Sequence, residues 1–212
     1  MATHLPTPVR LHLTGLRVLL VFTVLCGLAY PLLVVGISQA ALSHRANGSL
    51  VRERGRVVGS GLLGQNFTLP GKDPAGPDGQ ARPDPRWFQP RPSAAGAAGY
   101  DPTASGASNL GPNDAGLTRT VQERRAATAV FDGVDAALVP PDAVTAGGSG
   151  LDPDISPAYA QEQVDRVARA RGLDRGTVRR LVEAHVRGRT LGFLGEPRVN
   201  VLALNLALAR LG

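Results

Sequence analysis

Cysteine is all but missing. Cys26 is the only one, and it lies in an apolar run. It can build neither a disulfide framework nor a thiolate metal set. Lysine is equally scarce, Lys72 standing alone on a basic side that is otherwise arginine. The Gly71-Lys72 pair is followed by Asp73 where a phosphate loop needs Ser or Thr, and no strand–loop–helix pattern surrounds it. Aromatics make up 4% of the 212 residues. With no basic block interleaved with aromatics, a net charge of +6 does not describe a nucleic-acid surface. No Ser–His–Asp set, catalytic carboxylate pair or metal-ligand spacing emerges. These absences weigh against a metal site, a nucleic-acid partner and a membrane-anchored envelope enzyme.

Charge is lacking altogether from Val18 to Ser43, VLLVFTVLCGLAYPLLVVGISQAALS. A bilayer-crossing helix needs about 20 mostly apolar residues. Pro31 interrupts the run, which lipid-embedded helices tolerate when the freed carbonyl finds another partner. The rival reading is a cleaved signal peptide, with Ser38-Gln39-Ala40 as a small-residue cleavage site. The length favours an uncleaved anchor over 18–43. That leaves 1–17 as a cytoplasmic N-terminus and 44–212 as one soluble domain. Charge does not fix the orientation. Arg10 and Arg17 precede the span, while Arg45, Arg52, Arg54 and Arg56 follow it, offset only by Glu53.

Beyond the span, Val57-Val58 and Leu62-Leu63 flank Gly59 and Gly61, which predicts short strands with tight turns. Residues 70–116 are rich in proline and glycine, excluding a helix or a central strand there. Residues 71–86 are predicted to be a flexible loop. The following WFQPRPSAAGAAGYDPTASGASNLGP places Trp87, Phe88 and Tyr100 among small residues and is expected to be ordered. Residues 117–130 predict a helix, and Ala136–Val139 a short buried strand. Ser156 and Pro157 mark a helix start, and Gly172 its end. Asp174 caps a second helix carrying Val178, Leu181, Val182 and His185. A third runs from about Val199 with Val201, Leu204, Leu208 and Leu211 on one face. The fold class is α+β: one N-terminal transmembrane helix, then one domain with three to four helices and a small sheet.

The segment GGSGLDPDISP, at 147–157, lies just ahead of a helix N-terminus. Free backbone N–H groups there favour an anion, which makes Gly147, Gly148, Ser149, Gly150 and Asp152 a candidate nucleotide or partner loop. The plainer reading has Asp154 and Ser156 satisfying those donors. Tyr100, Asp101, Ser105, Asn109 and Asn113 form a second candidate loop, in which Asp and Asn side chains brace the backbone. His185 reads as a packed histidine.

In chain order, AALSHRANGSLV, VVGSGLLGQNF, WFQPRPSA, YDPTASGASNLGP, VTAGGSGLDPDISPAYAQEQVDRVARARGL and LGFLGEPRVNVLALNLAL resemble the C subunit of the bacterial Kdp potassium-transporting ATPase. The resemblance covers most of the chain from Pro6 onward. It implies one membrane helix and an extracytoplasmic domain, settling the orientation. It implies partnership with a potassium-channel-like subunit, a P-type ATPase subunit and a very small fourth subunit, importing potassium at the expense of ATP. It implies a non-catalytic subunit that aids assembly and acts as a catalytic chaperone, raising the ATPase subunit's affinity for ATP. The 147–154 loop has been likened to a nucleotide-contacting signature, so a nucleotide-binding regulator is the alternative. An outward-facing domain meets little ATP, however. On this resemblance the 100–113 loop would face the channel entrance. Gly27, Ala29 and Gly36 would let the membrane helix pack closely against partners and lipid. Departures from the family pattern fall at Ala107, Asn113-Asp114, Val186-Arg187 and Ala203.

Overall fold

The computed structural model describes residues 6–69 and 82–211. Residues 71–81 of the expected flexible loop, with Lys72, lie outside the described residues. The chain divides into two units, one ending at Ser49 and one beginning at Leu50.

The first unit is one long helical stretch, Thr7–Ala46, of 40 residues, kinked at Leu42 where the dihedrals leave the helical region (φ −135°, ψ 33°). At about 1.5 Å per residue it reaches about 60 Å, against a hydrocarbon core of about 30 Å. It runs past both ends of the uncharged stretch. Helix α1 (Thr7–Phe22) passes into a π-helical turn at Thr23–Ala29 and then into α2 (Tyr30–Ala46). The π turn lies directly before Pro31, whose ring has no N–H and crowds the carbonyl four residues back, at Gly27; widening the helix there relieves both. At the far end the Asn47 side chain donates to the Ser43 carbonyl at 2.7 Å and pairs with Gln39 through two further hydrogen bonds.

The second unit opens with an antiparallel hairpin, β1 (Leu50–Glu53) and β2 (Arg56–Ser60). Leu62 and Leu63 fall outside it, and both are exposed. Helix α3 (Ala115–Asp132) begins where Asp114 accepts from the Leu117 N–H and ends at Gly133 in the left-handed region. The expected strand at Ala136–Val139 is instead a 3-10 turn, Ala136–Leu138. Asp135 accepts from the Ala137 N–H at 2.8 Å, which favours a turn, and Leu138 is 72% exposed. Next come α4 (Pro141–Val144), β3 (Asp154–Ile155), α5 (Pro157–Glu162), α6 (Val164–Arg171), α7 (Arg175–His185), β4 (Val186–Arg187), β5 (Arg198–Asn200) and α8 (Val201–Ala209). The second sheet is antiparallel in the order β3-β5-β4. Thus the α+β class is observed. The helix expected from Ser156 to Gly172 is interrupted at Gln163, and Val199 belongs to β5. Asn200 starts α8 by accepting from the Ala203 N–H at 3.0 Å.

Valines fill the core: Val164, Val167, Val178, Val182 and Val199 are all buried, with Leu204 and Leu208 of α8 and Phe88. Helix α8 is apolar on nearly every side, as a buried helix must be. Its one polar intruder is Asn205. The buried amide accepts from the Phe88 N–H and donates to the Phe88 carbonyl, each at 2.9 Å. Gln163 does the same for Gln89, at 2.6 and 3.1 Å. No strand among the described residues pairs with the Trp87–Gln89 segment, and two side-chain amides supply the pairing a neighbouring strand would give. This is why the aromatic segment is ordered despite its prolines.

Replacing Asn205 by Ala orphans a buried donor and a buried acceptor, each costing about 1–3 kcal/mol. Asn205→Ala should therefore lower the stability of the second unit by about 2–6 kcal/mol. Urea unfolding followed by Trp87 fluorescence would measure it, and a midpoint unchanged from the parent would refute the role given to the amide.

Candidate functional site

The segment 147–152 joins α4 to β3. Its carbonyls turn inward: Ser149 O accepts from the Gly106 N–H (2.9 Å) and the Ser105 hydroxyl (3.0 Å). Gly150 O accepts from the Ser93 hydroxyl at 2.6 Å, and Leu151 O from the Gly64 N–H at 2.9 Å. Two of its N–H groups are engaged within the loop: Gly150 N donates to Gly147 O and Leu151 N to Ser149 Oγ. Just beyond it, Asp154 N donates to Asp152 Oδ1. Gly150 is buried at φ +67°, and a Cβ there would lie 2.7 Å from Ala95 N and 2.8 Å from Gly106 O. Only glycine fits such a crossing.

The helix N-terminus beyond it is capped from within. Ser156 Oγ accepts from the Tyr159 N–H at 3.0 Å, as its sequence position predicts. Asp154 does not share the task. It accepts from Asn200 Nδ2 at 3.1 Å and pairs with Arg198 at 3.0 Å. The nearby anion is Asp142 of α4, which accepts from Ser156 N at 2.6 Å and from Ser156 Oγ at 2.8 Å. A carboxylate of the protein thus stands where a phosphate would be drawn.

The two candidate loops meet. Tyr100 N donates to Ser93 Oγ at 2.8 Å, and its hydroxyl donates to Arg91 O at 2.8 Å. Its ring packs with Ala95 and Leu151. Burial pushes the phenol pKa up. Asp101 closes a local turn, accepting from Thr103 N (2.8 Å) and Thr103 Oγ1 (2.7 Å), and these bonds hold its carboxyl below the usual range. Asn109 and Asn113 are exposed and take no part in the junction. His185 sits at the end of α7 with Nδ1 2.7 Å from Leu181 O. Among the described residues no group of three or more His, Cys, Asp or Glu could hold a metal ion.

Beside the junction lies an open groove of about 580 Å³, lined among others by Arg91, Asp142, Asp152, Asp154, Pro197 and Arg198. Its arginines are already matched, Arg91 to Asp152 at 3.1 Å and Arg198 to Asp154. Deeper in the domain, Arg166 Nε meets Asp132 at 2.5 Å. Its other donors reach Pro85 O (2.6 Å), Trp87 O (2.9 Å) and Gln163 Oε1 (2.6 Å). Glu162 lies beside Asp132, and apart from a carboxyl proton shared between those two acids its oxygens meet no donor among the described residues. Burial first, then the charges of Asp132 and Asp142, push its pKa up to about 7, against the pull of Arg166. Burial likewise raises Asp132.

Sequence reasoning singled out neither Asp142, Arg91, Glu162 nor Arg166. Asp142 and Ser156 are 14 positions apart, and Arg91 and Asp152 are 61 apart. No local spacing encodes such pairs.

The family model described as "KdpC: K+-transporting ATPase, c chain" matches residues 12–210. Curated proteins named potassium-transporting ATPase KdpC subunit are similar along nearly the whole chain. That of Kineococcus radiotolerans is 53% identical over 208 residues, covering 98% of this chain and 97% of its own. That of Sorangium cellulosum is 55% identical over 194 residues, 92% and 94% of the two chains. That of Streptomyces coelicolor is 46% identical over 223 residues, 100% and 97%.

The raised pKa of Glu162 sets a sign for pH. An acid whose folded pKa lies above its unfolded value of 4.5 favours the fold while protonated. Stability should fall as pH rises from 4.5 toward 7, with Asp132 acting in the same direction. Asp84 and Asp101, whose pKa values are lowered, act in the opposite sense below that window. Glu162→Gln should flatten the slope between pH 4.5 and about 7, the window set by the unfolded and folded pKa of Glu162. Chemical denaturation of both forms across that range is the measurement, and parallel slopes would count against the assignment.

Proposed function

This chain belongs to the KdpC family, the c chain of the K+-transporting ATPase, and we propose that it is a non-catalytic accessory subunit of an ATP-driven, high-affinity potassium importer. Its partners are a channel-like subunit, a P-type ATPase subunit and a small fourth subunit. Potassium is the transported ion. The apolar helix anchors the chain in the cell membrane with the second unit outside. There the chain stabilises assembly and, as a catalytic chaperone, raises the affinity of the ATPase subunit for ATP.

One observation carries the non-catalytic, architectural reading over the alternative of a nucleotide-contacting loop. The polar backbone of 147–152 is bonded to Gly64, Ser93, Ser105 and Gly106, and Asp142 holds the neighbouring helix start. An ATP phosphate at the helix start would have to displace the Asp142 carboxylate, and the inward-turned carbonyls of the loop offer it no donor. A domain can alter ATP affinity without touching ATP, provided its binding energy to the complex differs between conformational states. A tenfold change needs about 1.4 kcal/mol of such difference.

Affinity purification of the tagged chain from potassium-starved cells in mild detergent should bring down a P-type ATPase and a channel-like membrane protein. Recovery of the chain alone would overturn the assignment. Within the purified complex, Ser149→Ala should leave the ATP concentration for half-maximal activity within about a factor of two, since that corresponds to under ~0.5 kcal/mol. A tenfold rise would restore the nucleotide-binding alternative. A Cβ on Gly36 meets nothing within 4 Å in the chain itself. Gly36→Leu should therefore leave the chain folded yet reduce co-purification, and an undiminished complex on a native detergent gel would remove Gly36 from the packing surface.

A further inference from the structure

We propose that the hairpin joining β4 to β5 is a lipid-contacting wedge, seating Leu191, Phe193 and Leu194 at a membrane surface that carries anionic headgroups. The proposal rests on the membrane anchorage inferred above.

Strands β4 and β5 pair antiparallel, with Val186 opposite Val199 and Arg187 opposite Arg198. The chain between them closes a tight tip, where Thr190 and Leu194 exchange two backbone hydrogen bonds of 2.9 Å. At that tip Leu191 is 79% exposed, Phe193 70% and Leu194 48%. One exposed leucine means little. Three large apolar side chains within four residues of one turn make a patch, and such patches mark interaction sites.

The backbone points the same way. Leu191 lies at φ +55°, in the left-handed region, beside Gly192 at φ +83°. A leucine held there is strained, because its Cβ crowds the following carbonyl, and its exposed side chain recovers little of that within the chain. Glycine would suit the position better unless the leucine acts on something outside.

The base of the hairpin says what that something is. Arg187 and Arg198 are cross-strand neighbours, and like charges directly opposite are destabilising. Arg198 is matched by Asp154, and Arg189 by Glu196 at 2.8 Å. Arg187 pairs with no carboxylate among the described residues, so the collar around the apolar tip remains net positive. An apolar tip above a guanidinium collar has the two-part chemistry of the membrane interface: side chains entering the acyl boundary, and cations on phosphates. The tether also fits. Only Asn47, Gly48 and Ser49 separate the end of α2 from β1, roughly 10 Å of extended chain. The second unit is thereby kept at high effective concentration near the bilayer.

The test uses the full-length chain carrying Cys26→Ser and Phe193→Cys, with an environment-sensitive fluorophore on the new thiol, in lipid nanodiscs. A second protein carries the label through Val130→Cys, on an exposed face of α3. In discs containing phosphatidylglycerol, the label at 193 should shift to the blue and be quenched by brominated acyl chains, while the label at 130 stays water-like. Combining Arg187→Gln with Arg198→Gln should reduce the quenching at least twofold. A water-like label at 193 in discs that hold the chain would overturn the wedge alone. A shift that arises only with the other subunits present, or that grows with the number of copies per disc, would overturn it in favour of a protein partner or a second copy. Failure of the chain to co-elute with the discs would overturn the anchorage and the wedge together.

Discussion

Arg166 brings a full positive charge to a place where its side chain is 4% exposed. Such a charge is tolerable only when its donors are met. Here they are met by three separate parts of the chain. Asp132 comes from the end of α3, Pro85 and Trp87 lend carbonyls from the proline-rich segment, and Gln163 lies one turn back. The Phe131 ring lies 4.4 Å below the guanidinium. Shifting any of these pieces would strand either a cation or a carboxylate in the interior. The network therefore selects one arrangement of α3, α6 and the 84–89 segment, a stricter demand than apolar packing alone would make. The same Gln163 oxygen also accepts from Gln89 N, so the charge network and the amide pairing of the aromatic segment share an atom.

Local signals in the sequence read well because they are local. Ser156, Asp174 and Gly172 cap helices through bonds that span three or four residues. The apolar faces of α6 and α7 follow the helical period. The aromatic residues were rightly expected to be ordered, since so poor a supply has to be spent in the core. What was illegible lies in pairs of long separation. VDRVARAR reads as a helix with its arginines in solvent, and Arg169 follows that pattern, while Arg166 is buried and Arg171 lies over the Trp87 ring with its Nε on the Arg86 carbonyl. Ala136–Val139 reads as a buried strand by composition, but the Asp135 carboxylate commits the backbone to a turn before sheet pairing is reached. Asn205 looks like an interruption in an apolar helix, and only the position of Phe88 explains it.

The 147–152 loop shows the same limit at the candidate site. Gly, Ser and Asp ahead of a helix start describe an anion-binding loop and a tight chain crossing equally well, because both need glycine and short polar side chains. The distinction rests on residues far away in sequence. Gly150 is glycine because Ala95 and Gly106 pass against it, and Ser93 bonds to it and to Tyr100 together. Two loops that looked like separate candidates are one joint.

That joint matters for the proposed role. A subunit that changes its partner's affinity for ATP from outside the nucleotide site works by favouring one state of the complex over another. The bias it delivers cannot exceed what it would cost the subunit to deform and follow the partner into the other state. A loosely held loop would comply and transmit nothing. A buried tyrosine, a glycine with no room for a methyl group and a core organised around a satisfied guanidinium all raise that cost. The extensive internal hydrogen bonding that disfavours ATP binding at 147–152 is thus the property that a lever of this kind requires.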